Sequence, residues 1–391
     1  MSDRTPYIFI GGTSEPGGLH VHTVDVALAV AAAGHPVTLV CPSIDYYSAM
    51  VAGTGIRVVR IEPRKSGERV FGYWRKHLAA HRGARAVFCR GQLAESSIGD
   101  LFGIRSAVRR LYTIEHRALV EPEIRRAALR RHGLAMRLLV RRLIAVSGEI
   151  AEHARRILNL PPARIATCLN WVDPTFRPVT PQQRSEAKRA LGFANTDLVV
   201  GYHGRLAPEK RLPALIESMA RIPAQIGGRT VCLALAGEGW KRAELQALIR
   251  QRGLATRATI TGWHPDPRAA MAAFDIAVLP SLSEGFPLGL LESMATGLPC
   301  LAHPMSSTER LIATGRNGIL ADLSDSAHFD RALVSLLELS DTARNTLGSA
   351  AADSIQRDFS RERRLPDVLA ALDVAAGAAP PIRPRNLEFI R

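Results

Sequence analysis

Cysteine is scarce in this 391-residue chain: Cys41, Cys89, Cys168, Cys232 and Cys300 are odd in number, far apart and part of no CxxC pair or Cys/His cluster. That spacing excludes a disulfide framework and a zinc-finger site, and it predicts a reduced compartment with no structural metal. Long apolar runs are missing as well. The most apolar stretches, Val24–Ala33 and Ile276–Pro280, fall well short of the roughly 20 residues that span a bilayer, so an integral membrane protein is excluded. The opening MSDRTPYIFIGG has no basic n-region, long h-region or small-residue cleavage site, so export is not expected. No repeat or low-complexity tract is present, and the Ala, Pro and Arg rich tail after Gly377 is predicted to be loose.

Acidic residues are outnumbered. With 51 Lys and Arg against 36 Asp and Glu, the formal charge is +15 and the pI near 10.4, which calls for an anionic partner: nucleic acid, an anionic membrane surface or a phosphorylated substrate. Much of the excess is local. Between Ile124 and Leu143, Arg125, Arg126, Arg130, Arg131, Arg137, Arg141 and Arg142 occur without one carboxylate. At about 100° per residue, Leu129, Met136, Leu139, Val140 and Leu143 gather on one helical face and Arg126, Arg130, Arg137 and Arg141 on another. Three readings of Arg125–Arg142 stay open: a solvated face of a core-packed helix, an interfacial helix on anionic lipid, or a nucleic-acid face.

The length, with 47% hydrophobic residues, predicts two domains. In the first half, strands at Tyr7–Ile10, Val37–Cys41, Arg57–Ile61 and Ala86–Cys89 alternate with helices near Leu19–Ala33, Tyr46–Gly53 and Arg69–His81; Arg110–Ile114, Arg142–Val146 and Ile165–Cys168 are further short strands. Such alternation implies right-handed βαβ crossovers and a parallel sheet. The proline-rich DPTFRPVTPQQ, Asp173–Gln183, suits a connector. A second α/β series follows, with strands at Leu198–Tyr202, Thr230–Leu235, Ala258–Thr261, Ile276–Leu279, Pro299–Ala302 and Gly318–Leu320. The fold class is therefore α/β with two facing Rossmann-like domains, and a ligand is expected between them beyond the carboxyl ends of both sheets.

Two loops of the second half carry the chemistry. SLSEGFPLGLLES, Ser281–Ser293, follows a strand and opens a helix whose first N–H groups can seat an anion. Glu284 lies ahead of that seat and Glu292 about 6–7 Å behind its start along the helix axis, an order that matches hexose, diphosphate and ribose. Each carboxylate can accept two hydrogen bonds from a vicinal diol. The alternatives are a loop acid favoured by the helix dipole for Glu284 and an exposed helix residue for Glu292. GYHGRLAPEKR, Gly201–Arg211, ends the first strand of this half. Gly204 there permits close backbone approach, and Arg205 and Lys210 can neutralise charge on a leaving diphosphate.

These residues, with LALAGEG (Leu233–Gly239), TGW (Thr261–Trp263), FDIAVLPSLSEGFPLGLLESMATGLPCLA (Phe274–Ala302) and GRNGIL (Gly315–Leu320), resemble the donor domain of glycosyltransferase family four, the retaining nucleotide-sugar transferases of GT-B fold. The resemblance implies that Arg205 and Lys210 bind the diphosphate, Glu284 the sugar hydroxyls, the backbone of Gly285, Phe286, Pro287 and Leu288 the sugar and phosphate, and Glu292 the ribose, with Trp263 near the base. In the first half GGTSEPGGLHVH is similar to the family's glycine loop, which implies that Gly17 and Gly18 approach the donor phosphates. TIEHR resembles the segment that presents an active-site histidine, here His116. His20, His22 and His203 stay open between site and structural roles. FSRERRLPDVLAAL (Phe359–Leu372) resembles the helix that crosses back onto the first domain. The implied division is 1–178 completed by 359–378, then 185–358, with 379–391 as the tail. Trp171 replaces the family's usual glycine, and AHPMSSTERLI lacks its paired glycines, so no donor role passes to Glu309.

The resemblance implies a hexose transfer from a nucleotide diphosphate sugar to a glycan or lipid-linked acceptor, in lipopolysaccharide or polysaccharide assembly on the cytoplasmic membrane face. No cofactor is implied. No Asp-x-Asp occurs in the chain, so the carboxylate pair that holds a diphosphate through a cation is missing and metal independence is expected. Rival readings are a GT-B epimerase or phosphorylase, and a basic nucleic-acid-binding protein. A dinucleotide-dependent oxidoreductase fits poorly, because GGTSEPGG is not GxGxxG and the second strand ends in Cys41-Pro42 rather than an acid.

Overall fold

Short β-branched and leucine-rich runs separated by helices fold here into two parallel sheets. A computed structural model describes residues 4–11, 17–42, 44–62, 64–66, 68–91, 97–117, 126–264 and 266–375. Packing divides the chain into one unit formed by Met1–Asn170 with Glu362–Arg391 and another formed by Trp171–Arg361.

In the first unit β1 (Tyr7–Gly11), β2 (Val37–Cys41), β3 (Arg57–Arg60), β4 (Arg85–Arg90), β5 (Arg110–Glu115), β6 (Val140–Ala145) and β7 (Ile165–Thr167) pair in the order β3-β2-β1-β4-β5-β6-β7. Every pairing is parallel. The connecting helices are α1 (Gly18–Ala32), α2 (Ile44–Val51), α3 (Val70–His77), α4 (Ile98–Ala107), α5 (Arg126–Leu139) and α6 (Gly148–Arg156). Strands β1 and β4 are buried along their whole length, as expected of a sheet covered by helices on both faces.

The second unit opens with α7 (Pro181–Ala190) and carries β8 (Leu198–His203), β9 (Gln225–Ile226), β10 (Arg229–Ala236), β11 (Ala258–Gly262), β12 (Ile276–Leu279), β13 (Cys300–Ala302) and β14 (Ile319–Leu320). Its sheet runs β11-β10-β8-β12-β13-β14, all parallel, with β9 added to β10 as an antiparallel hairpin. Helices α8 (Leu212–Arg221), α9 (Arg242–Gln251), α10 (Arg268–Met271), α11 (Leu288–Ala295), α12 (Ser306–Glu309), α13 (Ser326–Leu337) and α14 (Asp341–Phe359) complete it. In each sheet the direction of crossover reverses beside the first strand, between β1 and β4 and between β8 and β12. The loops that leave the carboxyl ends of those two strands diverge there and open a crevice.

Three elements depart from the sequence reading. The expected connector turns helical at Pro181, because Thr180 and Gln183 form a reciprocal capping box around that start. The helix expected over Arg69–His81 ends at His77 and continues as a separate 3-10 turn, Ala79–His81. The arginine-rich helix ends at Leu139, since Val140–Ala145 is drawn into the sheet beside β5. Arg141 and Arg142 therefore belong to a strand, and their partners are not on a helix face. Arg125 and the tail 379–391 lie outside the described residues.

Those partners come from the end of the chain. After α15 (Arg361–Ala371), Asp373 takes a left-handed φ of 59°, and its carboxylate accepts from Tyr112 at 2.7 Å and Arg110 at 3.0 Å. Arg141 and Arg142 stand 3.7 and 3.8 Å away. Around it Tyr7 donates to the Leu372 carbonyl at 2.8 Å, Arg85 to that of Asp373 at 3.1 Å, and Arg142 to that of Ala371 at 3.2 Å. Tyr7, Arg85, Arg110 and Arg142 sit at the amino ends of β1, β4, β5 and β6, so this cluster fastens the returning chain to the edge of the sheet opposite its loops. Burial alone would raise the Asp373 carboxyl, but the Tyr112 hydroxyl and the three guanidinium groups outweigh it and hold the pKa below its ordinary value. The carboxylate thus stabilises the fold above about pH 4, and that contribution fades as pH falls through the lowered pKa. Asparagine tolerates the same left-handed backbone, so Asp373→Asn isolates the charge. It should lower stability by about 1–3 kcal/mol at pH 7 and by progressively less below pH 4 in urea unfolding.

Candidate active site

Strands β8 and β12 are neighbours at the switch point of the second sheet, registered Ile276 to Val200 and Ala277 to Gly201. Their outgoing loops bring together Gly204, Arg205, Lys210, Glu284, Gly285, Phe286, Pro287, Leu288 and Glu292. The loop after β8 is laced to the one after β10: Gly204 N–H donates to the Ala236 carbonyl at 3.0 Å, and Leu206 N–H to that of Glu238 at 2.8 Å. Only glycine fits across this seam at Gly237, where φ is +156° and a Cβ would stand 1.8 Å from the Gly204 carbonyl oxygen. Trp263 follows β11, and the bridge from Gly262 to Gly237 sets it beside the same loops.

The cations of the site are held by acids. Lys210 Nζ lies 2.5 Å from Glu284 Oε1, and Arg205 Nη2 lies 2.6 Å from Glu209 Oε1. Tyr202 donates to the Arg205 carbonyl at 2.9 Å. Burial, then the nearby Glu284 and Glu209 carboxylates, push its phenol well above the ordinary value. Arg211, in a left-handed turn with φ 50°, donates to the carbonyls of Leu323 at 3.0 Å and Pro280 at 3.3 Å. It therefore clamps the end of β12 to the cation loop and is a structural rather than a surface charge.

Helix α11 starts at Leu288 with Pro287 as its cap and no side chain bonded to its first N–H groups. Phe286 is buried, its ring 5.6 Å from that of Phe359 on α14, so its side chain is a packing group. Glu292 is buried, with only 7% of its surface exposed, which removes the exposed-helix alternative. Its Oε2 lies 2.9 Å from Nε2 of His203, the last residue of β8. Glu309 is exposed on α12, and Trp171 is buried.

In the first unit Gly17 caps α1 and Gly18 begins it, while 12–16 of the glycine loop lie outside the described residues. His116 directly follows β5, and its N–H donates to the Arg90 carbonyl at 3.2 Å. Its ring meets that of His22 edge to face at 5.0 Å. Burial, then the neighbouring His22 and His20, lower the His116 pKa well below the ordinary value, and burial lowers His22 to about 4. Behind them Arg90 Nε donates to buried Glu115 at 2.8 Å, and its Nη1 stands 3.4 Å from His132 Nε2 on α5. His132 is lowered to about 4 by burial and then by Arg90. The imidazoles of His22, His116 and His132 are therefore neutral near pH 7.

Sequence reasoning did not reach the Glu209 partner of Arg205, the clamp by Arg211, the bond from His203 to Glu292, or the Arg90–Glu115–His132 cluster. Arg205 and Glu209 lie in a loop and a short 3-10 turn rather than on an α-helix, so their i, i+4 spacing carried no helical pairing signal. The His203 bond joins residues 89 apart, and nothing local announces it.

Residues 16–176 match the family described as Glycosyltransferase Family 4, and residues 183–353 the one described as Glycosyl transferases group 1. The lipopolysaccharide core biosynthesis glycosyltransferase LpsE of Rhizobium meliloti (strain 1021) is 32% identical over 166 residues, covering 42% of this chain and 46% of that protein, so the match spans about half the relative's length. The D-inositol 3-phosphate glycosyltransferase of Mycobacterium marinum is 27% identical over 395 residues, covering 94% and 83%. Anabaena Alr3699/HepE, solved in complex with UDP-glucose, superposes with a TM-score of 0.78 at 20% identity, covering 94% of this chain and 99% of that one. The fold is GT-B.

The neutral histidines carry a pH signature. Unfolding frees each imidazole to take up a proton below about pH 6.5, so folding stability falls by up to about 1.4 kcal/mol per pH unit per group as pH drops from 6.5 toward 4. In urea titrations, His132→Gln should lose about 2 kcal/mol less than the parent between pH 7 and pH 5.

Proposed function

The chain belongs to the glycosyltransferases of family four, with a Glycosyl transferases group 1 domain as its second unit, and from that premise we propose that it moves a hexose, with retention, from a nucleotide diphosphate sugar to a glycan or lipid-linked acceptor. The observation that carries this reading is the convergence of two cations and two acids, Arg205, Lys210, Glu284 and Glu292, on the switch point of one sheet. The UDP-glucose bound by the Anabaena protein and the lipopolysaccharide pathway of the Rhizobium relative favour a UDP-sugar donor and a cell-surface glycan.

In this reading the pairs Lys210–Glu284 and Arg205–Glu209 hold the site in shape until donor arrives. The diphosphate then takes Lys210 and Arg205 from their carboxylates, and Glu284 is released to accept from the sugar hydroxyls. Each of the two cations exchanges one anionic partner for another, so neither is left unpaired in a partly buried site. The acceptor oxygen bonds to C1 as the bond from C1 to the phosphate oxygen breaks on the same face, and the acceptor proton passes to that departing oxygen. The positive charge that stabilises the leaving group comes from Arg205 and Lys210, with no metal in the step. His116, neutral and able to donate, is assigned to a sugar hydroxyl, and Glu292 to the ribose.

Lys210→Ala should cut kcat by about 100-fold or more while donor affinity changes far less; near-normal kcat would contradict the leaving-group role. Glu292→Gln should weaken nucleotide diphosphate binding about tenfold in calorimetry. A thermal-shift panel of UDP-, GDP- and ADP-sugars, run with EDTA, identifies the donor base and checks that donor binding needs no metal.

For the acceptor side, α5 favours contact with an anionic membrane at the cytoplasmic face. Leu134 and Leu138 are 56% and 70% exposed there among exposed Arg130, Arg131 and Arg137, and Phe102 on neighbouring α4 is 46% exposed. Apolar side chains ringed by guanidinium groups suit an interfacial surface, and no described helix is long and apolar enough to cross a membrane. In liposome sedimentation the protein should pellet with anionic lipid only, and Leu134→Ser with Leu138→Ser should stay in the supernatant; pelleting that ignores lipid charge counts against this surface.

A further inference from the structure

The last residue of β8 and the second turn of α11 meet because residue 289 is glycine: a Cβ there would stand 2.6 Å from the His203 carbonyl oxygen and 3.8 Å from its ring carbon Cδ2. Across that contact His203 Nε2 lies 2.9 Å from Glu292 Oε2. A carboxylate only accepts, so the proton of this bond is on Nε2. The other ring nitrogen, Nδ1, is buried without a partner among the described residues. The imidazole thus makes a single polar contact, and it makes it with the acid assigned to the ribose. A packing residue at this place would need no nitrogen at all, and leaving one unsatisfied costs stability.

We propose that His203 is a positioning residue for the nucleotide's ribose: by donating to Oε2 it holds the Glu292 carboxylate in one rotation and leaves Oε1 to accept from the ribose diol. A free glutamate side chain has several rotamers to lose on binding, and His203 removes that cost before the nucleotide arrives. The inference rests on the assignment of Glu292 to the ribose, and its test separates the two.

The test uses the full chain and the nucleoside diphosphate, UDP, GDP or ADP, that gives the largest thermal shift, together with its 2′,3′-dideoxy analogue. Calorimetry gives Kd for both ligands with the parent protein, His203→Val, His203→Gln and Glu292→Gln. His203→Val should weaken the ribose form about three- to tenfold and leave the dideoxy form unchanged, and His203→Gln, whose amide nitrogen can reach where Nε2 stood, should recover most of the loss. Equal weakening of both ligands means that the valine distorts the site, and unchanged binding of both means that the bond does nothing for the ribose; either result overturns the proposal. If Glu292→Gln erases the preference for ribose and His203→Val does not, only the role of His203 falls. If Glu292→Gln leaves that preference intact, the ribose assignment itself falls.

Discussion

The second unit is organised by one close approach, that of α11 to the carboxyl end of β8. Gly289 removes the side chain that would keep the helix away, and the parallel register of β8 with β12 places the loop that starts α11 directly beside the loop that carries Arg205 and Lys210. Everything charged in the site follows from that proximity. Lys210 can reach Glu284 and His203 can reach Glu292 only because the two strand ends are adjacent, although their residues are far apart in the chain. From behind, α14 supports the same helix, with Phe359 against Phe286 and Gly348 against the Gly297 carbonyl. A displacement of α11 would therefore unmake both contacts at once.

The electrostatic design of the two units differs. In the second, opposite charges are paired at the mouth of the switch point with side chains partly exposed, 18% for Lys210 and 34% for Arg205, so these pairs cost less to open than a fully buried one. In the first, Arg90 and Glu115 are fully buried, and the imidazoles around them are neutral. A buried pair of that kind is costly to break. It serves as a fixed floor beneath His116, and through His132 it ties α5, the helix with the exposed leucines, to the same floor.

The positive charge of the chain is likewise not one feature. Arg110, Arg141 and Arg142 are spent on Asp373 and Arg85 on its backbone carbonyl, where they hold the returning end of the chain against the first sheet. Arg130, Arg131 and Arg137 remain on the surface. Net charge alone could not distinguish these two groups, since one arginine in a sequence looks like the next and its partner lies more than 200 residues away.

Strand and helix periodicity, the turn residues, and the spacing of Glu284 and Glu292 around a helix start were legible in the amino-acid sequence, because each depends on neighbours within a few residues. So was the alternation that makes both sheets parallel. The point where α5 ends was not: Arg142–Val146 reads as a strand, but Val140 and Arg141 also continue the helical pattern, and pairing beside β5 takes them into β6. Nor were the partners of the charges. The sequence by itself determined which local segments would form and which residue types would stand at the strand ends. Only the folded arrangement pairs Glu209 and Glu284 with the two cations, His203 with Glu292, and Asp373 with Arg141 and Arg142, because a hydrogen bond depends on distances in space that the order of residues along a chain does not contain.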